Sequence, residues 1–322
     1  MGVYRRLEAQ LKPVDYKSDI EPTWCAGCGD FTVISSLTKV FSELRIPPES
    51  IVQVSGIGCS SRAPLFMRTY ATHTLHGRAI PFAIGVKLAN PELTVICNVG
   101  DGDLFSIGAG HNPHAARRNI DITVICMDNQ VYGLTKNQVS PTSREGLYGS
   151  LTPYGNIDRP INPVAQMLSF GATFVAQTFS GNPKHMTEVF KEAISHRGFA
   201  FVNVLSPCPT FNKVDTFKYY REKVKDVNSE LPFLEYPLVK EKNINEEGHD
   251  PSDFKTALEL ALHDLDHYYN PNAPVPIGVF YRKEEETYED RVSRVKERYK
   301  AVKEPTLELL QSFINACKPE AI

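Results

Sequence analysis

The sequence predicts an α/β protein with a mostly parallel sheet, helices on both faces and a C-terminal extension. Short β-branched runs recur between helical stretches, at Ile51 to Ser55, Leu93 to Val99, Ile120 to Met127, Ala172 to Gln177 and Phe199 to Leu205. That alternation is the signature of βαβ units. The stretch from Pro183 to Arg197 puts Met186, Val189, Phe190, Ala193 and Ile194 on one side, stops at Gly198 and feeds into the strand at Phe199, as one half of such a unit does. With 322 residues, 42% hydrophobic and 23% charged, the chain can bury a sizeable core. This composition excludes disorder, collagen and coiled coil as the main theme.

Taken in order, the first residues, Met1 to Arg6, run into charged sequence with no apolar stretch of a secretory signal, and Arg6 stands where a myristoylation signal needs Ser or Thr. Asn112 followed by Pro113 reads as an N-cap with proline in the first helical position, opening a helix through His114 to Arg117. Arg117 and Arg118 end that helix and suit its C-terminal dipole. After Cys208 the character changes: Lys213 to Lys242 is rich in charge and aromatics without a period, and Glu246 to Pro251 reads as an exposed linker. The expected division is 1–212 and 213–322. The second part is predicted to hold a helix from about Asp253 to His267, a strand at Ile277 to Tyr281 and helices at Glu289 to Lys300 and Thr306 to Ala316. Leu307, Leu310 and Phe313 of the last helix need a surface to cover, and the aromatic run Phe211, Phe217, Tyr219 and Tyr220 suggests the same.

The 35 basic and 38 acidic residues leave a net charge of -3. Such a chain has no global field to gather nucleic acid or an anionic membrane, and no Lys/Arg cluster is large enough to do so locally. The longest apolar run, Ile80 to Ala89, is broken by Lys87 and falls short of the ~18 residues a bilayer requires. Seven cysteines without a signal point to a reducing, cytoplasmic setting, where thiols serve as metal ligands, catalysts or core residues.

The strongest motif is Gly100-Asp101-Gly102-Asp103, directly after a strand. A dinucleotide turn would need glycine at position 105, which is Phe105, and would not place two carboxylates where a pyrophosphate approaches. This argues against an NAD-binding dehydrogenase. A divalent cation reverses the sign: Asp101 can hold Mg²⁺, whose remaining positions take a diphosphate. Asp128 and Asn129 end the next strand, with Asn129 28 positions after Asp101. One right-handed crossover of about 30 residues brings both strand ends to the same crevice. The plainer alternative is a tight turn and an ordinary strand end.

A G-D-G followed about thirty residues later by Asn resembles the thiamine diphosphate-binding motif. The stretch from Gly100 to Thr142 resembles more narrowly the β subunit of the 2-oxoacid:ferredoxin oxidoreductases. So do WCAGCG from Trp24, SGIGCS from Ser55, HGRA from His76 and PCPTFN from Pro207. The likeness runs from about Trp24 through Tyr281. It implies the thiamine diphosphate-binding fold. It also implies Asp101, Asn129 and the carbonyl of Val131 as Mg²⁺ ligands, and Ile57, Gly58, Cys59, Ser60, Gly100, Gly102, Asp103, Gly133 and Leu134 as cofactor-lining positions, with Leu134 also walling the substrate. It implies His76 as a diphosphate contact, for which an N–H donor is chemically suited. The sequence departs from the family pattern at Asn137, where glycine is usual, although Asn tolerates the left-handed backbone region.

Cys97 and Cys126 fall inside strands and read as small core residues, and Cys317 lies near a chain end. Cys25, Cys28, Cys59 and Cys208 remain. Cys59 and Cys208 follow strand ends on the edge that carries Asp101 and Asn129. Four thiolates suit structural Zn²⁺ or a [4Fe-4S] cluster, and spacings of 2, 30 and 148 residues choose neither. Placement beside a thiamine crevice favours the cluster, since that cofactor can give up electrons singly, and the resemblance points the same way. A thioredoxin-type C-x-x-C would leave two cysteines unexplained. Arg62 is a candidate for a 2-oxoacid carboxylate, which guanidinium matches bidentately; the alternative is a surface arginine.

The resemblance implies an enzyme that oxidatively decarboxylates a 2-oxoacid to acyl-CoA and CO₂, with electrons passing through the cluster to ferredoxin and coenzyme A taking the acyl group. The competing reading is a non-oxidative thiamine-dependent decarboxylase or synthase with structural zinc. In the family, the glutamate that activates the aminopyrimidine comes from a pyrimidine-binding domain, and no such domain is read in this sequence. An α, or fused γ-α, partner subunit is therefore implied.

Overall fold

The computed structural model describes residues 10–228, 248–300 and 307–316. In chain order the strands are β1 (Ile51–Ser55), β2 (Tyr70–His73), β3 (Thr94–Gly100), β4 (Thr123–Asp128), the short β5 (Val131–Tyr132) and β6 (Gln138–Val139), β7 (Phe174–Phe179), β8 (Ala200–Leu205), β9 (Val224–Asp226) and β10 (Val275–Arg282). The helices are α1 (Asp30–Leu44), α2 (Ala79–Ala89), α3 (Asn112–Arg118), α4 (Pro163–Ser169), α5 (Pro183–Ser195), α6 (Phe217–Lys223), α7 (Phe254–Leu262), α8 (Asp266–Tyr269), α9 (Tyr288–Lys300) and α10 (Leu307–Ala316). Eight strands form one sheet in the order β2-β1-β3-β4-β8-β7-β10-β9. The first six are parallel, and β10 joins β7 antiparallel.

Alternation along the strands divides the core into two layers, as side chains of period two require. Val95, Cys97, Val99, Val124, Cys126, Val175 and Phe201 face α2, α3, α4 and α7. Ile51, Ile96, Ile125, Met127, Ala176 and Val202 face α1 and α5. Every residue of β4, β7 and β8 is buried, which is why these strands read as continuous apolar runs rather than as alternations. Helices on both faces of a mostly parallel sheet match the predicted fold class. Cys97 and Cys126 are fully buried in the first layer, as small core residues.

Differences from the sequence reading have local causes. Asn112 is the first helical residue rather than the cap; its amide donates to the Leu104 carbonyl (3.2 Å), tying the helix to the preceding turn. The helix expected over Asp253 to His267 breaks at His263 into α7 and α8. The aromatic run packs within the chain: Tyr220 is buried with Phe179, Leu205, Val275 and Ile277, Phe217 and Tyr219 lean on that cluster, and Phe211 packs against Val131, Leu147 and Cys208. In α10, by contrast, Leu307, Leu310 and Ile314 are exposed. Met1 to Arg6, Thr306, Cys317 and, of the stretch expected to be an exposed linker, Glu246 and Glu247 lie outside the described residues. The rest of that stretch packs onto the chain, with His249 buried, its backbone amide donating to the Val227 carbonyl (2.8 Å) and its ring meeting the Phe280 carbonyl (2.6 Å). Among the described residues no helix is long and apolar enough to cross a membrane.

Candidate active site

The carboxyl ends of β1, β3, β4 and β8, four adjacent strands, converge on one edge of the sheet. Residues 56–60 follow β1, 101–103 follow β3, 129–131 follow β4, which ends on Asp128, and 206–208 follow β8. This is where open parallel sheets bind ligands. A cavity of about 130 Å³ lies there, lined by Ile57 to Ser60, His76, Gly100 to Asp103, Asn129 and Val131 to Thr135. Every lining position expected from the sequence is present, and Tyr132 and Thr135 are added.

Asp101 is 2% exposed and Asp128 4%. The Thr142 hydroxyl stands between them, 2.7 Å from Asp101 Oδ2 and 2.9 Å from Asp128 Oδ1, and its single proton can serve only one. Burial pushes both carboxyl groups up; at Asp128 the charge of Asp101 adds to the effect. Two buried acids with one shared hydroxyl form a site whose charge a divalent cation would offset. Asn129 Oδ1 accepts from the Val131 amide (3.0 Å) and keeps a lone pair for a cation. Asp101, Asn129 and the Val131 carbonyl are oxygen donors of the kind Mg²⁺ takes, so the donor set fits the group.

Asp103 lines the wall, but its carboxylate works behind it. Oδ1 accepts from the amides of Ile57 (3.1 Å) and Gly77 (2.7 Å) and meets His76 Nδ1 at 2.5 Å. One buried acid thereby fixes the SGIGCS loop, the HGRA loop and the His76 ring. With its Nδ1 proton committed to Asp103, His76 can offer a phosphate an Nε2–H only as imidazolium. The Tyr132 hydroxyl donates to the Gly102 carbonyl (3.2 Å). A Cβ on Gly102 would lie 2.3 Å from the Tyr132 ring, so glycine is required by close approach. Gly102→Ala is expected to drive the Tyr132 ring into the cavity, costing about 1–3 kcal/mol of stability and weakening diphosphate binding. A variant with wild-type affinity by titration calorimetry would show that the ring swings aside harmlessly.

The cysteines gather beside this cavity. A Cβ built on Gly133 would lie 3.6 Å from Cys59 Sγ, 3.9 Å from Cys208 Sγ and 3.8 Å from Asn129 Nδ2. Cys25 and Cys28 are joined by a turn, with the Cys28 amide donating to the Cys25 carbonyl (3.0 Å). Burial is the main cause that pushes the Cys28 thiol far up and Cys59 to about 11, and the neighbouring acid Asp30 and the other cysteines raise both further. A bound metal would reverse that balance, since it deprotonates its thiols. Among the described residues no three Cys, His, Asp or Glu side chains stand close enough to hold a single ion.

Asp30, buried at the start of α1, accepts from the Ser206 hydroxyl (2.7 Å) and ties the C-x-x-C segment to the β8 loop. Trp24 Nε1 donates to the Cys59 carbonyl (2.7 Å). Arg62 donates to the Thr23 hydroxyl (2.9 Å) and is not among the cavity-lining residues. Asn137 adopts the left-handed region, φ 77°, directly after Lys136 at 72°, which preserves the turn where the family pattern has glycine.

A parallel α/β sheet whose strand ends gather Gly-Asp-Gly-Asp, Asp-Asn and a diphosphate-sized cleft defines a thiamine diphosphate-binding enzyme subunit. Residues 56–204 match the thiamine pyrophosphate enzyme C-terminal TPP-binding domain. Residues 208–233 and 239–297 match the C-terminal family of the pyruvate ferredoxin oxidoreductase beta chain. A Sulfolobus 2-oxoacid:ferredoxin oxidoreductase subunit beta is 43% identical over 84% of this chain and 85% of its own length. The subunit beta of 2-oxoacid:ferredoxin oxidoreductase 1 from Aeropyrum pernix is 39% identical over 91% and 88%. The solved 2-oxoglutarate:ferredoxin oxidoreductase from Magnetococcus marinus, with 2-oxoglutarate, coenzyme A and succinyl-CoA bound, is similar with a TM-score of 0.83 and 42% identity, covering 98% of this chain and 99% of that one. The chain belongs to the beta subunits of the 2-oxoacid:ferredoxin oxidoreductases.

Sequence reasoning missed the hydroxyls that support the site. Ser140, Thr142 and Ser143 are buried around Asp101, Asp128 and the Gln130 carbonyl. Their signal was available only as polar residues in a loop between short strands, which has no periodicity to read.

Proposed function

We propose that this subunit holds thiamine diphosphate through Mg²⁺ and carries a [4Fe-4S] cluster on Cys25, Cys28, Cys59 and Cys208. With a partner subunit it oxidatively decarboxylates a 2-oxoacid to acyl-CoA and CO₂ and passes the electrons to ferredoxin. The observation that carries this reading is the placement of Gly133, whose side-chain position is within 4 Å of two cysteine sulfurs and of the Asn129 amide. Two of the four thiols and one of the three proposed cation ligands thus border the same residue, which supports the reading. Thiamine diphosphate supplies the nucleophilic carbon and electron sink for decarboxylation, and the cluster the one-electron steps. Asp101, Asn129 and the Val131 carbonyl would hold the cation, His76 meets the diphosphate, Asp103 orients His76, and Ile57, Leu134 and Tyr132 line the cleft. Arg62, beside Cys59, is assigned to the substrate carboxylate once a partner closes the site.

The spread of the four thiols favours the cluster over structural zinc. Each cysteine of a [4Fe-4S] site holds its own iron, whereas zinc draws all four sulfurs to about 2.3 Å from one centre. Segment 213–322 is assigned partly to partner contact, through the exposed α10 face. Relatives that name a substrate act on 2-oxoglutarate, so it is assayed first, with pyruvate beside it. No group in this chain is assigned to activate the aminopyrimidine, and the partner's glutamate is expected to do so. The isolated, oxygen-free chain is therefore expected to reduce no electron acceptor with 2-oxoglutarate or pyruvate plus coenzyme A, while the co-purified pair turns over. Substantial turnover by a verified monomer would place the activating carboxylate within this chain.

A further inference from the structure

Asn212 follows Cys208 by four residues in the loop after β8 and is 1% exposed. Its backbone amide donates to the Cys208 carbonyl (3.1 Å). Its Oδ1 accepts from the amides of Val214 (3.1 Å) and Asp215 (2.9 Å), closing the turn after the cysteine. Its Nδ2 donates to the Asn129 carbonyl (3.2 Å) and to Asp215 Oδ2 (3.1 Å). Asp215 is in turn paired with Arg144, whose guanidinium lies over the Tyr268 ring at 4.5 Å and the Tyr219 ring at 5.0 Å. The donor therefore has a rigid anchor.

The Asn129 carbonyl belongs to a strained turn, closed from within by the Val131 amide on Asn129 Oδ1 (3.0 Å) and the Gln130 backbone amide on Asp128 Oδ1 (3.1 Å). Gln130 has φ 62°, a left-handed conformation that costs a non-glycine residue about 1–2 kcal/mol. Further restraints on that conformation come from outside the turn. The Gln130 side-chain Nε2 donates to the Tyr220 hydroxyl (2.6 Å) and to that of Tyr268, and the Ser143 hydroxyl donates to the Gln130 backbone carbonyl. Those contacts hold residue 130, but the peptide that joins it to Asn129 is gripped by Asn212.

We propose that Asn212 is a positioning residue of the cation site: its Nδ2 fixes the Asn129 carbonyl so that Asn129 Oδ1 and the Val131 carbonyl are presented to one divalent cation. The proposal rests on the reading of Asn129 and Val131 as cation ligands. In Asn212→Ser the hydroxyl can still accept from the two amides that close the turn, but it is too short to reach Asn129. In Asn212→Asp the acceptor is kept and the donor lost at equal size, while the new carboxylate also meets Asp215 Oδ2 where the amide donated (3.1 Å), a like-charge contact that lowers stability.

The test uses the oxygen-free complex with its partner subunit and Mn²⁺ as a paramagnetic probe, titrated with thiamine diphosphate present and followed by electron paramagnetic resonance. Both variants are expected to bind Mn²⁺ about tenfold more weakly, the scale of outer-shell losses, with wild-type iron content; the melting temperature stays near wild type in Asn212→Ser and falls in Asn212→Asp. Wild-type Mn²⁺ affinity in a folded variant overturns the proposal. Loss of Mn²⁺ affinity, iron and melting temperature together also overturns it, because it shows a general structural role. A wild-type complex that binds no Mn²⁺ overturns the cation reading itself, and the proposal with it. Should one variant fail to fold, the other decides by the same readout.

Discussion

Asp101→Ala is expected to abolish Mg²⁺-dependent retention of thiamine diphosphate, weakening it by more than about a hundredfold, since losing an outer-shell partner alone costs 10–100-fold in metal affinity. Asp101 is buried at the tip of β3, and the nearest carboxylate, Asp128, already shares the Thr142 hydroxyl and accepts from the Gln130 amide at 3.1 Å. Asp128 cannot replace it without breaking those bonds. Removing one member of a repelling pair should leave the apo fold as stable as before or more so, because Asp128 then loses a cause of its raised pKa. Binding and stability are thus expected to move in opposite directions. Normal cofactor occupancy in the alanine variant would sink the magnesium assignment.

Serine in place of Cys25, Cys28, Cys59 or Cys208 is expected to remove most of the iron from protein purified without oxygen, whereas Cys97→Ser and Cys126→Ser keep it. The distinction is positional. Cys97 and Cys126 are fully buried among Val95, Val124 and Phe201 on the face away from α1 and α5, and burial pushes both thiols well up, so neither offers a thiolate. A hydroxyl in that layer costs about 1–3 kcal/mol of stability unless it finds a partner. Iron counts and melting temperatures therefore separate the two groups. Iron loss from Cys97→Ser with Cys208→Ser unaffected would show the ligand set to be wrongly drawn.

The sequence revealed most where chemistry and periodicity coincide. Gly100 to Asp103 follows a strand and Asn129 follows the next, so their meeting needs only the handedness of a βαβ unit. The central strands were legible because residues buried on both faces leave an unbroken apolar run. Less was legible where one residue serves many distant partners. Asp103 reads as a cofactor contact from its motif, yet its oxygen collects three groups from two other loops, and nothing local in the sequence announces this. Thr142 and Asn212 are polar residues in irregular loops, whose roles depend on partners 41 and 83 positions away. The aromatic run at 211–220 was read as a surface for a partner because composition alone does not reveal that β9 and β10 add a further edge to the sheet and cover it.

That added edge sets a condition on synthesis of the chain. β10 lies against β7, yet Val275 leaves the ribosome 96 residues after Phe179, an interval of roughly 5–20 s at ordinary elongation rates. During that interval β7, an apolar strand with a full row of amides and carbonyls, has no neighbour on its outer side. Exposed edges of that kind recruit other strands. The nascent subunit therefore passes through a stage at which its cofactor-bearing edge can be complete while its flank is still open, and that flank is where self-association would compete with folding.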